Sequence, residues 1–245
     1  MCIAITRAVS QAIGQCELSY LERQPIDPAL AAAQHDQYER RLAAYGCRVI
    51  RTEDAPELPD AVFVEDAAVV LEDIAIIARP GAVSRRAETE SVAAAVKRFR
   101  PLHRIGPPAT LDGGDVLAIG GMLYVGLSQR TNMAAVQQLN AVPIRFQNCL
   151  HLKSAVTQIG DRTLLLNPQW VDPGQFPGFE VIAVDPQEPF AANALRLDDI
   201  LIYSASYPRT RRLLEARGFH VETLDLFELE KAEAGVTCCS LIFSE

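Results

Sequence analysis

The same order of predicted elements recurs along the chain, and this repeat limits the fold more than any other feature. The repeating unit is a β-hairpin, then a helix, then a single strand, and residues 115–127, 131–140 and 142–146 form one copy. The unit returns roughly every 45 residues, a period typical of repeat architectures. Four copies are complete within the chain, and the two chain ends together supply a fifth.

Two copies also match residue by residue. Residues 40–49 (RRLAAYGCRV) align with residues 212–221 (RLLEARGFHV), so that Gly46 and Gly218 end equivalent helices. A ring of five such units would bring the last strand beside the first and leave no open sheet edge. We therefore predict an α/β fold in which five pseudo-symmetric units close into a ring with a central site, within a single domain over residues 1–245.

Further patterns predict where the elements lie. The range 27–45 begins with Asp and Pro, which is typical of a helix start, and the range 84–98 begins with a serine that is predicted to cap a helix. Residues 9–27 are predicted to form a long loop that acts as a lid. Outside the copies already given, strands are predicted at residues 1–8, 47–51, 61–71, 74–78, 102–105, 154–159, 163–166, 180–184, 193–197, 200–203, 220–224 and 235–243.

Charge and composition exclude several classes of protein. The formal net charge is -8 and the pI is about 5.1, whereas a surface that binds nucleic acid needs clustered Lys and Arg. No run approaches the ~20 apolar residues of a membrane helix, and the first residues, MCIAITR, lack the basic region of a signal peptide. We expect a cytoplasmic protein without nucleic-acid or membrane partners, whose six cysteines are mostly free thiols.

Residues 110–117 (TLDGGDVL) place Asp112 and Asp115 around a Gly-Gly pair. By itself this octapeptide is typical of a hairpin turn. In a ring with a central site, however, functional residues should come from equivalent positions of different units, and Asp112, His151 and Cys238 meet that expectation. A cysteine nucleophile, a histidine that shuttles protons and a carboxylate form a recurrent catalytic set. Asp115 is interpreted as structural because it begins the next predicted strand.

Six stretches of the chain carry a resemblance to a known family. In order, they are 63–70 (FVEDAAVV), 79–86 (RPGAVSRR), 110–117 (TLDGGDVL), 125–132 (VGLSQRTN), 150–154 (LHLKS) and 237–240 (TCCS). In content and order they resemble the dimethylarginine dimethylaminohydrolases, or dimethylargininases, of the guanidino-modifying (pentein) superfamily. The resemblance implies the pentein fold, a five-bladed α/β propeller, in agreement with the repeat.

The resemblance implies catalytic roles for three residues. Cys238 matches the family's nucleophile, His151 its general acid and base, and Asp112 its catalytic carboxylate, which is Glu in other members. Cys239 is predicted to pack away from the site, because neighbouring residues of a strand face opposite sides. The resemblance implies neither a metal nor an organic cofactor.

Seven further residues match the family's substrate contacts. Asp66 matches the carboxylate that pairs with the guanidinium group, whereas Glu65 should point to the opposite side of a regular strand. Asp60 matches the acid that meets the α-amino group. The remaining matches are Arg85 and Arg130, associated with the α-carboxylate, and Ile13 and Ala232, associated with main-chain contacts.

The implied activity is hydrolysis of Nω-methylated arginine to citrulline and dimethylamine or methylamine, through a covalent Cys-thiouronium intermediate. The expected partner is a small guanidino amino acid, and a homodimer is left open. An arginine deiminase or another guanidino hydrolase is the nearest alternative, although the family's deiminases are typically longer. A non-catalytic binding module of the same fold is disfavoured by the presence of all three catalytic residue types, and only the residue types themselves support a cysteine peptidase.

Overall fold

Five three-stranded sheets make up the β structure. The structure is a computed structural model that describes residues 1–245. In every sheet the middle strand is antiparallel to one neighbour and parallel to the other. The strands are β1 Cys2–Thr6, β2 Cys47–Arg51, β3 Ala68–Val70, β4 Ala75–Ile77, β5 Leu102–Arg104, β6 Val116–Ile119, β7 Met122–Leu127, β8 Val142–Arg145, β9 Val156–Gly160, β10 Thr163–Leu166, β11 Glu180–Ala183, β12 Ala194–Leu197, β13 Ile200–Ser204, β14 His220–Leu224 and β15 Leu241–Ser244.

Helices connect the two parallel strands within each sheet. The α-helices are α1 Pro28–Ala44, α2 Thr89–Val96, α3 Met133–Gln138, α4 Leu152–Ala155, α5 Pro208–Ala216 and α6 Phe227–Glu230. The 3-10 helices are Ile13–Gln15, Val64–Ala67, Val83–Glu88, Gly113–Asp115 and Pro173–Gln175, of which the last replaces an α-helix in the fourth sheet. No helix is both long enough and apolar enough to cross a membrane.

The two chain ends share one sheet, as the repeat predicts. β15 runs antiparallel to β1, and β1 runs parallel to β2, so the chain's last strand completes the sheet of its first. This is the same hairpin-helix-strand unit as in the other four sheets, with its first strand supplied from the far end of the chain. The predicted repeat of five units is confirmed.

Apolar packing lies between the sheets. Each of five buried clusters draws side chains from two neighbouring sheets, and the five together close a ring. Ala4 of β1, for example, shares a cluster with Ile202 of β13, which joins the first unit to the last. Burying one apolar face therefore requires the neighbouring unit, as in other repeat proteins.

Two of the six cysteines form a disulfide, which the sequence did not predict. Cys2 and Cys47 are register partners in β1 and β2, with their Cα atoms 4.5 Å apart. The prediction of free thiols is wrong for this pair because the parallel register places side by side two residues that are 45 positions apart in sequence. The free cysteines are Cys16, Cys149, Cys238 and Cys239.

Residues 61–71 are not the continuous strand that their apolar character predicts. Only their last part belongs to β3, and Val64–Ala67 form a 3-10 helix before it. Local backbone hydrogen bonds take the place of ladder bonds here, from the amide of Phe63 to the carbonyl of Asp60 at 2.9 Å and from the amide of Asp66 to the carbonyl of Phe63 at 3.2 Å. The local turn matters for function, because it carries two of the predicted site residues.

The helix predicted to start at Ser84 begins differently. Val83–Glu88 form a 3-10 helix, and α2 starts only at Thr89. Ser84 caps no backbone amide and instead donates its hydroxyl to Glu17 at 2.7 Å. A contact between the predicted lid and this segment therefore takes the place of the expected helix cap.

The start of α1 offers a test of the predicted helix signal. The Asp27 carboxylate accepts the amides of Ala29 at 2.9 Å and Leu30 at 3.1 Å. Asp27→Ala should lower the free energy of unfolding by about 1 kcal/mol, because these amides lose their acceptor, whereas Asp27→Asn should retain most of the stability. Urea unfolding followed by circular dichroism measures both variants. An alanine variant as stable as the parent would contradict the prediction.

Candidate active site

Asp112 and His151 form the centre of the candidate site. Asp112 is fully buried, and its Oδ2 lies 3.1 Å from Nε2 of His151. The Asp112 Oδ1 accepts the amide of Gly81 at 3.0 Å, and the Asp112 amide donates to the hydroxyl of Thr131 at 3.0 Å. The structure thus brings together two residues predicted for catalysis and fixes both side chains.

The Gly-Gly pair after Asp112 allows an unusually close approach of neighbouring groups. A Cβ on Gly113 would lie 2.0 Å from the carbonyl oxygen of Glu65, and a Cβ on Gly114 would lie 2.6 Å from Nδ1 of His151. Both glycines are buried in a short 3-10 helix. The motif therefore packs the backbone against the imidazole and does not form a surface hairpin turn.

Asp115, at the other end of this motif, positions the segment after His151. Its Oδ1 accepts the amide of Leu152 at 2.9 Å, and its Oδ2 accepts the hydroxyl of Ser128 at 2.6 Å. Burial raises the pKa of Asp115 to about 6. The residue is structural in that it fixes the first turn of α4, although it lies before β6 and not within it.

Asp66 faces His151 from the side opposite to Asp112. Its Oδ1 lies 3.5 Å from Nδ1 of His151 and accepts the amide of Gly114 at 3.0 Å. Its Oδ2 accepts from Nη1 of Arg85 at 2.6 Å. The imidazole is therefore held between two carboxylates, and one of them is in turn held by an arginine.

This arrangement fixes the charge of the imidazole. Although burial lowers the pKa of His151, the nearby Asp66 and the hydrogen bond that the imidazole donates to Asp112 outweigh it and raise the pKa to about 9. Burial alone would raise the pKa of Asp66, but His151 and Arg85 lower it to about 2. At neutral pH His151 is thus an imidazolium beside an ionised Asp66.

The same three residues have the spacing of a metal site. The ligating atoms of Asp66, Asp112 and His151 lie within 4.8 Å of one another. Metal binding requires a neutral imidazole, whereas these carboxylates stabilise the protonated ring. The positive charge that a metal would supply is already supplied by His151 itself, so the arrangement is better suited to proton donation.

Cys238 lies in a turn before β15 and not in the predicted final strand. The Cys238 amide donates to the carbonyl of Gly235 at 3.2 Å, and the Gly235 amide donates to Sγ of Cys238 at 3.2 Å. Because the two cysteines are not in a strand, strand alternation does not decide which of them faces the site. Their burial distinguishes them instead, since Cys239 packs in the core while Cys238 is half-buried. Burial, with Glu65 and Asp66 nearby, raises the pKa of Cys238 well above its usual range.

Glu65 lies on a turn and not on the regular strand that its predicted orientation assumed. It lies on the 3-10 helix, where neighbouring residues do not alternate between two faces as they do in a strand. Its carboxylate accepts from Nζ of Lys153 at 2.6 Å and from the hydroxyl of Thr237 at 2.8 Å. Its amide donates to the carbonyl of Cys238 at 3.2 Å, so Glu65 adjoins the nucleophile segment.

The two predicted α-carboxylate arginines have different surroundings. Arg85 is committed to Asp66 and to Glu88, to which its Nη2 donates at 2.9 Å. Arg130 is only 7% exposed, and its Nη1 has no hydrogen-bond partner and lies 3.9 Å from Oδ2 of Asp112. A buried guanidinium with an unused donor is suited to receive an incoming carboxylate.

Two acidic residues fasten the lid, defined as residues 9–27. Both carboxylate oxygens of Asp60 accept the amide of Glu17, at 3.1 and 3.2 Å. Glu233 accepts the amides of residues 19–21 at 2.5 to 3.2 Å, from a backbone with φ of 61°. A non-glycine residue in this left-handed region is uncommon, and here it aims a carboxylate at the lid.

Cavities border the lid on both sides. One of about 210 Å³ lies between lid residues Leu21 and Gln24 and the segment that leads to the nucleophile turn. The other, of about 480 Å³, is lined by Leu18 of the lid and by Arg130. The lid thus borders both the segment before Cys238 and the opening beside Arg130.

Ile13 and Ala232, the two residues predicted to contact the substrate through their main chain, differ in how their backbone groups are hydrogen-bonded. Ile13 is fully buried, and both its amide and its carbonyl are hydrogen-bonded within the lid's own 3-10 turn. The lid residues at the opening beside Arg130 are Glu17, Leu18 and Ser19. Ala232 precedes Glu233 and donates its amide to Leu229 at 3.0 Å.

Three further residues of the site escape the sequence-based prediction. Lys153 and Thr237 contact Glu65, and Asn193 contacts both of their segments. Lys153 and Thr237 lie within the motifs LHLKS and TCCS, which could have marked them. Asn193 has no local signal, because its partners are 40 and 44 residues away.

The charge of His151 makes a titration prediction. Its folded pKa of about 9 exceeds the ~6.5 of an unfolded chain. The stabilising contribution of the imidazolium is therefore complete below pH ~6.5 and is lost as the pH rises through the folded pKa. Nuclear magnetic resonance of the imidazole Cε1–H should give a midpoint near 9, and Asp66→Asn should lower it by about one unit. A midpoint that Asp66→Asn leaves unchanged would refute the assignment.

The contacts of Glu233 predict how the lid opens. Glu233→Gln should loosen the lid, because three amides lose a charged acceptor, and trypsin should then cleave after Arg23 about tenfold faster. Glu22→Gln, a change at an exposed lid acid, is the matched control. Limited proteolysis with mass spectrometry measures the rates, and equal rates for the two variants would argue against the latch.

Known proteins are similar to this chain in both sequence and fold. An N(G),N(G)-dimethylarginine dimethylaminohydrolase of Streptomyces coelicolor is 40% identical over 253 aligned positions. The alignment covers 99% of this chain and 97% of the relative. The enzyme of the same name from Pseudomonas aeruginosa is 35% identical, over 89% of this chain and 90% of the relative. No protein-family model matches the chain.

Structural similarity extends over the whole ring. A solved structure of a dimethylarginine dimethylaminohydrolase variant from Pseudomonas aeruginosa, complexed with citrulline, matches with a TM-score of 0.92 at 32% identity. The match covers 98% of each chain. The predicted pentein fold is thereby confirmed, and the chain belongs to the dimethylarginine dimethylaminohydrolase family of the pentein superfamily.

Proposed function

We propose that this protein hydrolyses asymmetric dimethylarginine and monomethylarginine to citrulline and dimethylamine or methylamine. The observation that carries the proposal is the imidazole of His151, held 3.1 Å from Asp112 and 3.5 Å from Asp66. The names of the relatives state this substrate, and the solved relative is complexed with citrulline, the product proposed here. Residues 1–245 act as one catalytic domain in this proposal.

The charges of the site suit an amino acid with a cationic side chain. Asp66, kept ionised by its neighbours, would receive the guanidinium, and Arg85 would hold Asp66 in place. Arg130 would bind the α-carboxylate through its unused donor. Asp60, which now accepts a lid amide, would meet the α-amino group when the lid rearranges.

The attack begins at Cys238. In the free protein the sulfur is a neutral thiol, because burial and nearby carboxylates disfavour the thiolate. A bound guanidinium brings positive charge next to the sulfur and lowers its pKa, so the proton leaves to solvent as the substrate binds. The thiolate then forms a bond to the guanidinium carbon.

His151 is already protonated for the next step. It gives its proton to the departing methylated nitrogen, the C–N bond breaks, and the thiouronium remains on Cys238. The neutral imidazole then takes a proton from water as the water attacks the same carbon. Cleavage of the C–S bond releases citrulline and the thiolate, while Asp112 keeps the ring oriented throughout.

The test of this proposal is an assay for the ureido product. The protein is incubated with asymmetric dimethylarginine, monomethylarginine, arginine and agmatine, and turnover is expected with the two methylated substrates. Cys238→Ser should lower turnover by at least about a thousandfold, whereas Cys239→Ser should retain most of it.

The same assay separates the alternatives. Product from arginine alone would assign the protein as a deiminase, and no product from any substrate would favour a binding module. Full activity of Cys238→Ser together with loss in Cys239→Ser would move the nucleophile to the neighbouring cysteine.

Location and assembly remain predictions. A cytoplasmic location follows from composition, but disulfides such as Cys2–Cys47 are rare in that compartment. Thiol labelling before and after reduction, on protein from intact cells, measures whether this bond forms in the cell. Sedimentation of the purified protein measures whether it forms a homodimer.

A further inference from the structure

Four side chains next to Cys238 form a closed circuit of hydrogen bonds, here named the Glu65 circuit. Glu65 accepts from Lys153 at 2.6 Å and from the hydroxyl of Thr237 at 2.8 Å. Asn193 donates through Nδ2 to that hydroxyl at 3.0 Å and to the Lys153 carbonyl at 3.0 Å. The Thr237 amide donates to Oδ1 of Asn193 at 3.1 Å, which closes the circuit.

The circuit joins the two segments that carry the reacting groups. Thr237 directly precedes Cys238, and Lys153 lies two residues after His151. A Cβ on Gly235, whose amide donates to the Cys238 sulfur, would lie 2.4 Å from the side chain of Asn193. Both segments are therefore fixed against the same buried amide group.

The two carboxylates near Cys238 differ in the number of cationic groups that compensate their negative charge. Glu65 and Asp66, both on the 3-10 helix, and the thiol of Cys239 are acidic groups that raise the pKa of Cys238. Asp66 has two cationic partners, Arg85 and His151. Glu65 has one, Lys153, and its side chain is only 9% exposed.

We propose that Lys153 is a positioning residue that sets the ease of thiolate formation at Cys238 by compensating the charge of Glu65. Without that ammonium group, a buried carboxylate would face the sulfur uncompensated, and a like charge disfavours the thiolate. The inference rests on the proposed function in taking Cys238 as the nucleophile. It goes beyond that function in assigning a role to a residue that need not contact the substrate.

The test measures Cys238 itself and not turnover. Alkylation by iodoacetamide is followed against pH, with the modified residue identified by tandem mass spectrometry. Lys153→Met should move the midpoint up by about one unit, which leaves about tenfold less thiolate at a given pH below it. Glu65→Gln should move the midpoint down, and Lys153→Met with Glu65→Gln should return it close to that of the parent.

Lys231→Met is the matched control. Lys231 and Glu228 form an ion pair of 2.7 Å with side chains 15% and 6% exposed, against 2.6 Å, 16% and 9% for Lys153 and Glu65. Glu228 is not among the groups that influence Cys238. Loss of the Lys231 ammonium group should therefore leave the alkylation midpoint of Cys238 unchanged.

Three outcomes would overturn the inference: an unchanged midpoint in folded Lys153→Met, failure of the double variant to restore it, or an equal shift in Lys231→Met. If Lys153→Met does not fold, the test rests on Glu65→Gln. An alkylation midpoint of Cys238 that does not fall in Glu65→Gln then overturns the inference. Turnover gives a further readout, because kcat of Lys153→Met should recover as the pH is raised while KM changes little. Because alkylation needs no substrate, it tests the inference about Lys153 even if the protein does not hydrolyse methylarginines. Failure of the inference is therefore distinguishable from failure of the proposed function.

Discussion

The pairing of β15 with β1 is the constraint on which the rest of the structure depends. It completes the fifth sheet from strands at opposite ends of the chain and closes the ring of inter-sheet clusters. Because every cluster needs two neighbouring sheets, no unit buries its apolar surface alone. The same pairing sets where the preceding turn lies, and that turn carries Cys238. Closure of the fold and assembly of the candidate site are therefore one event.

Several buried charges of the candidate site share one pattern, in which each is paired with an opposite charge. Asp112 and Asp66 hold His151, Arg85 holds Asp66, and Lys153 holds Glu65. Such pairing is needed because an unpaired buried charge is very costly. The exception is the unused donor of Arg130. A site with paired carboxylates and one available guanidinium is organised for a ligand that carries its own charges.

The sequence predicts much of the fold because its signals are local. The hydrophobic pattern recurs in each unit, so the ring follows from counting units, and the Asp-Pro start of α1 and the glycines after α1 and α5 mark the ends of individual helices. The site is less predictable. The apolar run around Glu65 and Asp66 indicates a strand, but local backbone hydrogen bonds form a 3-10 helix there. The roles suggested for Lys153 and Asn193 depend on partners distant in sequence, which no local pattern reveals.

The order in which the ring closes has a consequence for synthesis on the ribosome. β1 leaves the ribosome well before β15, the strand with which it pairs. Until then, one edge of the first sheet and the apolar faces on both sides of the missing strand stay uncovered. Contacts between distant parts of a chain also form slowly. The nascent protein therefore carries an aggregation-prone edge until β15 is available, and a chaperone that shields strand edges would act on β1.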